Sequence, residues 1–302
     1  MSSTTFVSCL FDCHEGTDYK AKNYYFARCM RNMYIDEPMV IFCDPHYVQK
    51  ILGIRTALGY HQTKVVPMTV KDLQLYALKD SIKCREGRLT KDMIIVWNSK
   101  SELLLSVLKS NPFNTTHFAW IDINFLSKHP NESINYFLPD AYDTIHKIAI
   151  NPHDKMAIML LNAWAPSEYN NLDNYYIKYN FTVAGAFFTM DLETGLFLLP
   201  KMIELTEDHA KLGVLWSDEH IYAIIIDKYE DKFTLLLGDY QDNLTNYFSL
   251  ETNHKHINEI LINNHRGHGL HDRIIRILKE YQARDTVKTF DYDETIKKYF
   301  SG

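Results

Sequence analysis

Short apolar runs alternate with longer amphipathic stretches through the first half of the chain. The apolar runs predict strands in TFVSCLF (5–11), MVIFCD (39–44), KVVPM (64–68) and HFAWIDI (117–123). The longer stretches predict helices in YKAKNYYFARCMRNMY (19–34), PHYVQKILGI (45–54), VKDLQLYALKDSI (70–82) and WNSKSELLLSVLKSN (97–111). Strands separated by helices indicate an α/β fold, with a mostly parallel sheet covered by helices on both faces.

The second half has a more mixed pattern. Strands are expected in KIAINPH (147–153), FTVAGAFFTMD (181–191) and TLLLGDY (234–240), and helices in 216–233 and 271–284. Neither a repeat nor a linker rich in Pro, Gly or Ser divides the chain. We therefore expect one sheet-containing unit over residues 1–250, with a helical C-terminal extension over 251–302 packed on it.

Three predicted strands run directly into an acid. These acids are Asp12, Asp44 and Asp122. In open α/β sheets, ligands bind beyond the carboxyl ends of the strands, so an acid there is well placed for function. A strand also re-enters water at its end, so each acid alone has a plain structural explanation.

Composition narrows the class of protein. The chain has 302 residues, of which 46% are hydrophobic, enough for a large core. A net charge of −6 argues against a nucleic-acid partner, which usually meets a basic surface. The five cysteines match no zinc-binding spacing, and the sequence shows neither a secretion-signal pattern nor an apolar run of about 20 residues. These features predict a cytoplasmic protein without a transmembrane segment.

Several stretches, in order, resemble one known family. They are CLFD (9–12), MVIFCDP (39–45), VWNSKSELL (96–104), NPFNTTHFAWIDINF (111–125), AGAFFTMD (184–191), WSDEHIY (216–222) and LLLGDYQDNLTNY (235–247). Together they are similar to the HtrL/YibB (WlaTC/HtrL) glycosyltransferase-like family. The resemblance implies a GT-A-like (Rossmann-like) fold and a nucleotide-sugar donor. It leaves open the sugar, the acceptor and whether the configuration of the sugar is retained or inverted.

The acid motif would then be the centre of the site. The resemblance implies that Asp122 and Asn124 hold Mn²⁺ or Mg²⁺ beside the donor diphosphate, because such cations prefer oxygen ligands. The family commonly has Gly where this chain has Asn124. Asn124 offers a carbonyl oxygen but no negative charge, so we expect weaker metal affinity than from two acids.

Other residues complete the predicted site. Lys100, near a helix start, is a candidate for binding the donor phosphates or for pairing with Asp122. Asp12 and Gly185 are candidates for the rest of the nucleotide-sugar pocket. Asp218 and Glu219 are candidate general bases toward the acceptor hydroxyl, although both would also suit the first turn of a helix.

The histidines of HRGHGLHD (265–272) form a further candidate group. His265, His268 and His271 are candidates to complete the metal shell, with His268 the one we assign to it. A polar loop before the last helix explains the same pattern without a metal.

The sequence therefore predicts a metal-dependent glycosyltransferase that acts on a glycan or on a glycolipid or glycoprotein acceptor. Two alternatives remain. A nucleotidyl- or phosphotransferase could use a similar sheet, although neither a P-loop nor a G-x-G-x-x-G motif occurs. A non-catalytic nucleotide-sugar- or glycan-binding protein with a degenerate metal site is the other, and Asn124 is the residue that favours it.

Overall fold

A seven-stranded mixed sheet organises the molecule. The computed structural model describes residues 3–13, 26, 29–84, 89–126, 140–162, 164, 166–177, 182–250, 271–286 and 290–300. The strands are β1 (Thr4–Leu10), β2 (Met39–Cys43), β3 (Thr63–Pro67), β4 (His117–Ile121), β5 (Met156–Leu160), β6 (Val183–Asp191) and β7 (Phe233–Leu237). Their order in the sheet is β3-β2-β1-β4-β6-β5-β7.

Strand β6 runs against its two neighbours, and the other pairings are parallel. Ile121 at the end of β4 pairs with Phe187 in the middle of β6, so the first residues of β6 extend beyond the end of β4. The start of an antiparallel strand therefore lies at the same sheet edge as the carboxyl ends of β1 and β4. This places Gly185 and Ala186 beside the residues that follow β4.

Nine α-helices are assigned within the described residues. They are α1 (Val48–Ala57), α2 (Lys91–Asn98), α3 (Lys100–Ser110), α4 (Ala141–Ile150), α5 (Leu172–Ile177), α6 (Leu192–Lys211), α7 (Asp218–Lys228), α8 (His271–Arg284) and α9 (Tyr292–Phe300). Helix α6 packs against α3 and α7, while α7 also contacts β6. The predicted class, an α/β fold with a mostly parallel mixed sheet flanked by helices, is confirmed.

The core follows from the apolar runs. Phe118, Ala119, Trp120 and Ile121 of β4 are all buried, as expected for a strand covered on both faces. None of the helices in the described part of the chain is both long and apolar enough to cross a membrane.

Two predicted elements are wrong. The stretch 147–153 is not a strand: Lys147–Ile150 form the last turn of α4, and the strand begins later, at Met156. Short apolar runs do not distinguish a strand from a buried helical turn, which explains the error. The stretch 70–82 is not one helix but holds two 3₁₀ turns, Val70–Asp72 and Gln74–Leu78.

The C-terminal helices dock on the sheet-containing part. The Tyr281 hydroxyl donates to the Asn246 carbonyl (2.7 Å) and accepts from the Leu237 amide (3.1 Å). Arg273 bonds Asp227 at 2.6 Å and Glu230 at 2.7 Å, which ties α8 to α7 and the turn after it. The division at residue 250 stays a prediction.

Candidate active site

A cavity lies where the strand order reverses. From β1 the chain moves outward through β2 and β3, and it then returns to place β4 on the other side of β1. Such a switch point opens a crevice beyond the carboxyl ends of the two central strands, where ligands bind in open α/β sheets. The cavity here has a volume of about 250 Å³. Its lining comprises Cys9, Phe11, Cys13, Met93, Val96, Trp97, Lys100, Trp120, Asp122, Ile123, Asn124, Gly185, Ala186, Ser217, Asp218, Glu219 and Tyr240.

Asp122 is held at the end of β4 from several directions. Its amide donates to the Ala186 carbonyl (2.8 Å), and its own carbonyl accepts from the Asn32 side chain (2.9 Å). The Trp120 indole N–H donates to Asp122 Oδ1 at 2.7 Å. These bonds fix the carboxylate while leaving its side chain 33% exposed.

Lys100 joins three segments of the chain. Its Nζ lies 3.2 Å from Asp122 Oδ1 and 3.0 Å from Asp218 Oδ2, and it donates to the Gly185 carbonyl at 2.8 Å. The Lys100 side chain is only 7% exposed. A buried ammonium with two carboxylates and a carbonyl has its charge neutralised and its three donors satisfied.

The break between α2 and α3 positions Lys100. Helix α2 ends at Asn98, whose side-chain amide donates to the Ile94 carbonyl (2.8 Å) and the Trp216 carbonyl (2.9 Å). Helix α3 then starts at Lys100 itself. The Trp216 contact also ties this break to the segment that leads into α7, which carries Asp218 and Glu219.

Burial and charge act in opposite directions on the ionisable groups of this cluster. Burial alone would lower the pKa of Lys100, but Asp122 and Asp218 raise it, and the net pKa lies above its usual value. For Asp218, burial raises the pKa and Lys100 opposes that rise, leaving a raised pKa. Lys100 is therefore a permanent cation of the site.

Glu219 is a cavity acid with a strongly raised pKa. Burial, followed by the neighbouring Asp218, raises its pKa to about 8. The Tyr240 hydroxyl donates to Glu219 Oε1 at 2.5 Å, and the Gly185 amide lies 3.4 Å from the same oxygen. A carboxyl group that titrates near neutral pH in a cavity is suited to proton transfer.

Gly185 permits the close approach of β6 to α7. A Cβ atom added at this position would lie 2.5 Å from Asp218 Oδ2 and 3.3 Å from the Tyr222 ring. The backbone of Gly185 also contacts Lys100 and Glu219, as described above. The absence of a side chain is therefore what lets the acids and the lysine gather around this residue.

Asn124 reaches the cavity through a turn and not through an extension of β4. Strand β4 ends at Ile121, and the Phe125 amide donates to the Asp122 carbonyl (2.8 Å), so residues 122–125 form a turn. Alternation along a strand therefore does not align Asn124 with Asp122. The turn nevertheless places both residues in the cavity lining.

The side-chain oxygens of Asp122 and Asn124 are suited to a Mg²⁺-like cation that takes most of its ligands from the substrate. No described residue forms a hydrogen bond or ion pair with Asp122 Oδ2, and Asn124 lines the same cavity. Magnesium typically uses one or two protein oxygens together with phosphate and water. In the described residues, no group of three or more His, Cys, Asp and Glu side chains forms a metal cage.

Asp12 lies beside the cavity and not in its lining. Its Oδ1 accepts from the Tyr47 hydroxyl (2.9 Å), and its Oδ2 lies 3.3 Å from His46 Nε2. Its neighbours Phe11 and Cys13 do line the cavity. His265 and His268 lie outside the described residues, as does the side chain of His271, so the proposed histidine ligand stays a prediction.

The sequence alone did not indicate Tyr240, or the aromatic and cysteine side chains that line the cavity. Tyr240 follows β7 within the GDY stretch, and an acid after a strand was a signal available there. Cys9 is buried beside Asp122, and burial raises its thiol pKa well above the usual value. The Cys9 thiol is therefore a packing group and not a nucleophile.

Comparisons with known proteins give distant likenesses only. No protein-family model matches the chain, and no curated protein does. Among solved structures, mouse xyloside xylosyltransferase 1 in its apo form is 11% identical, with 82% of this chain and 95% of that chain covered and a TM-score of 0.42. The 4-diphosphocytidyl-2C-methyl-D-erythritol synthase of Anaerococcus prevotii is 8% identical, with 85% and 97% covered and a TM-score of 0.33. Both scores lie below 0.5, so neither likeness assigns an activity, and the specific family resemblance stays a prediction.

Proposed function

We propose that the chain is a glycosyltransferase that binds a nucleotide-sugar donor in the cavity between β1 and β4. The observation that carries this proposal is the Lys100–Asp122–Asp218 cluster, with Glu219 beside it, at the switch point of the sheet. It combines a permanent cation, a partly exposed carboxylate and a carboxyl group that titrates near neutral pH. In glycosyl transfer from a nucleoside diphosphate sugar, a cation stabilises the negative charge that grows on the leaving phosphate, a carboxylate can hold that cation, and an inverting transfer also needs a base for the acceptor hydroxyl.

Asp122 and Asn124 are the residues that would hold Mn²⁺ or Mg²⁺. When bound, the cation supplies positive charge to the diphosphate of the leaving group. Lys100 sits against Asp122 and Asp218 and offsets part of their negative charge at the same end of the cavity. Asp218 has a positioning role in this proposal, since it pairs with Lys100 and keeps the ammonium in place.

Glu219 is the better of the two candidate bases. In an inverting transfer, the acceptor oxygen forms a bond to the anomeric carbon as the bond to phosphate breaks. The bonding electrons leave with the diphosphate, and Glu219 takes the proton from the acceptor hydroxyl. Tyr240 holds the Glu219 carboxylate by its hydroxyl and so orients it toward the cavity.

A calorimetric titration tests the proposal. The protein is titrated with a panel of nucleotide sugars, with and without Mn²⁺, and donor turnover is followed by release of the nucleoside diphosphate. Metal-dependent binding of one donor, with diphosphate release in the presence of a glycan acceptor, is the expected result. Absence of nucleotide binding under every metal condition contradicts it.

The products separate the alternatives. Release of pyrophosphate from a nucleoside triphosphate and a sugar phosphate indicates a nucleotidyltransferase instead. Donor binding without turnover, toward any acceptor in a glycan array, indicates a nucleotide-sugar-binding protein. Asp122→Ala serves as the reference variant, because donor turnover that survives this change unaltered removes Asp122 from the mechanism.

A further inference from the structure

A second pocket, lined by other residues than the candidate active site, contains positively charged side chains. It has a volume of about 650 Å³ and is lined by Lys147, Ile150, Asn151, Pro152, His153, Phe248, Ser249, Arg284 and Thr286. It shares no lining residue with the cavity between β1 and β4. We refer to it as the Arg284 pocket.

The Arg284 guanidinium is incompletely paired. Its Nε and Nη2 atoms are buried and have no hydrogen-bond acceptor among the described residues, and its Cζ stacks 3.9 Å from the centre of the Tyr281 ring. A buried N–H without an acceptor is destabilising, and more so when it is charged. The described lining of the pocket contains no carboxylate to compensate for this charge.

Among the other lining side chains, Lys147 adds positive charge and His153 adds none. Lys147 is exposed on the last turn of α4 and contributes a second cation. His153 Nε2 lies 3.1 Å from the Tyr247 carbonyl, and burial lowers the pKa of His153 to about 4, so this ring is neutral near pH 7. The Ala149 carbonyl, in the last turn of α4, accepts hydrogen bonds from Ser3 and Thr4.

One wall of the pocket is apolar. Ile150 is 50% exposed, and Phe248 is partly buried against the core. A phosphate or carboxylate alone would meet only the two cations, whereas a ligand with an apolar portion would also cover Ile150 and Phe248. Apolar area removed from water adds to the affinity of such a ligand.

We propose that the Arg284 pocket binds a ligand that carries a phosphate or carboxylate group on an apolar body. The oxyanion pairs with Arg284 and Lys147, and the apolar part packs on Ile150 and Phe248. This site is independent of the proposed glycosyl transfer, because its lining and its ligand chemistry are different. Arginine in the last turn of α8 also has a structural role, since a cation favours a helix C-terminus.

Titration of the full chain with octyl phosphate, octanoate and inorganic phosphate tests the proposal. We expect octyl phosphate or octanoate to bind more tightly than inorganic phosphate, and the affinity to fall as the salt concentration rises. Tighter binding of octyl phosphate assigns the head group as phosphate, and tighter binding of octanoate assigns it as carboxylate. The proposal is overturned if none of the three probes gives a binding signal at millimolar concentration.

Two variants and a control locate the binding. Arg284→Gln and Lys147→Ala should each weaken the better probe about tenfold, the loss expected for one charged hydrogen bond. Lys147 is exposed, so its variant keeps the assay interpretable if Arg284→Gln fails to fold. Lys279→Ala, on the exposed face of α8, should leave the affinity unchanged. Equal affinity in all three variants and the parent overturns the assignment to this pocket.

Discussion

The Lys100 ammonium contacts Asp122 Oδ1 at 3.2 Å, joining the first residue of α3 to the residue that follows β4. This pair, with Asp218, is the electrostatic centre of the candidate active site. It makes the stability of the molecule and the chemistry of the cavity depend on the same side chains.

Replacing the lysine should destabilise the fold. In Lys100→Met the side-chain volume is retained, but Asp122 and Asp218 lose their cation, and breaking a buried ion pair costs about 3–5 kcal/mol. The free energy of unfolding is measured by urea titration. Lys109→Met, on the exposed face of the same helix, is the control and should change it by less than about 0.5 kcal/mol. Equal stability of the two variants would show that the cluster does not stabilise the protein.

Removing the charge of Asp122 should separate binding from folding. Asp122→Asn keeps an oxygen for the Trp120 indole, so we expect only a modest loss of stability and a loss of metal-dependent donor affinity of about tenfold or more. Calorimetry with donor and Mn²⁺ measures the affinity. Asp231→Asn, at a side chain 77% exposed, is the matched control. Unchanged donor affinity in the Asp122 variant is incompatible with the proposed cation site.

Glu219 should make stability fall as pH rises. The unfolded carboxyl ionises near 4.5, whereas the folded group keeps its proton until about 8. Between these values the folded state binds more protons, so the contribution of Glu219 is complete below 4.5 and is lost as pH rises through 8. The slope is at most about 1.4 kcal/mol per pH unit. The unfolding free energies of the parent and of Glu219→Gln are compared from about pH 5 to about pH 9, a range that includes the pKa of about 8. The difference between the two isolates the contribution of this residue. A difference that does not vary with pH contradicts the raised pKa.

The same carboxyl group should set the pH dependence of turnover. A base must be deprotonated to act, so kcat/KM should rise with pH and level off above about 8, the pKa of Glu219 in the protein. Glu219→Gln should lower kcat by about 10²-fold or more, the usual contribution of general base catalysis. Tyr240→Phe tests the positioning role: the plateau should fall because the base is less well oriented, and the midpoint should move to higher pH because the Tyr240 hydroxyl lowers the pKa of Glu219. A pH profile of the Gln variant that matches the parent assigns the base elsewhere.

A single methyl group should disrupt the cluster. In Gly185→Ala the new Cβ would lie 2.5 Å from Asp218 Oδ2, and overpacking of this kind costs about 1–3 kcal/mol. Donor affinity should fall in parallel, because Lys100 and Glu219 both contact this backbone. Gly53→Ala is a matched control of opposite sign: it lies inside α1 with no atom within 4 Å, so it should stabilise by about 0.5–1 kcal/mol. Thermal unfolding of both variants checks the pair, and a neutral Gly185→Ala would mean that β6 and α7 can separate at no cost.

Local patterns determined much of the fold. The apolar runs located β1, β2, β3, β4, β6 and β7 to within a few residues. The spacing of Ile274, Ile275, Leu278 and Tyr281 predicts one apolar face of α8, of which all but the partly exposed Ile275 are buried. Alternation of strands and helices indicated the parallel sheet, and the acid after β4 marked a cavity residue. These features depend on neighbours in sequence, which the pattern of apolar and polar residues records directly.

Only the tertiary structure decided which polar residues meet. Lys100, Asp122, Gly185 and Asp218 come from four separate segments, and they meet because β6 runs antiparallel beside β4 while α7 packs on β6. The same packing buries Glu219 and raises its pKa. Asp12 follows a strand as Asp122 does, but it pairs with Tyr47 and His46 outside the cavity lining. Burial and charge pairing depend on contacts between distant segments, so identical residue types at strand ends acquire different chemistry only when the chain folds.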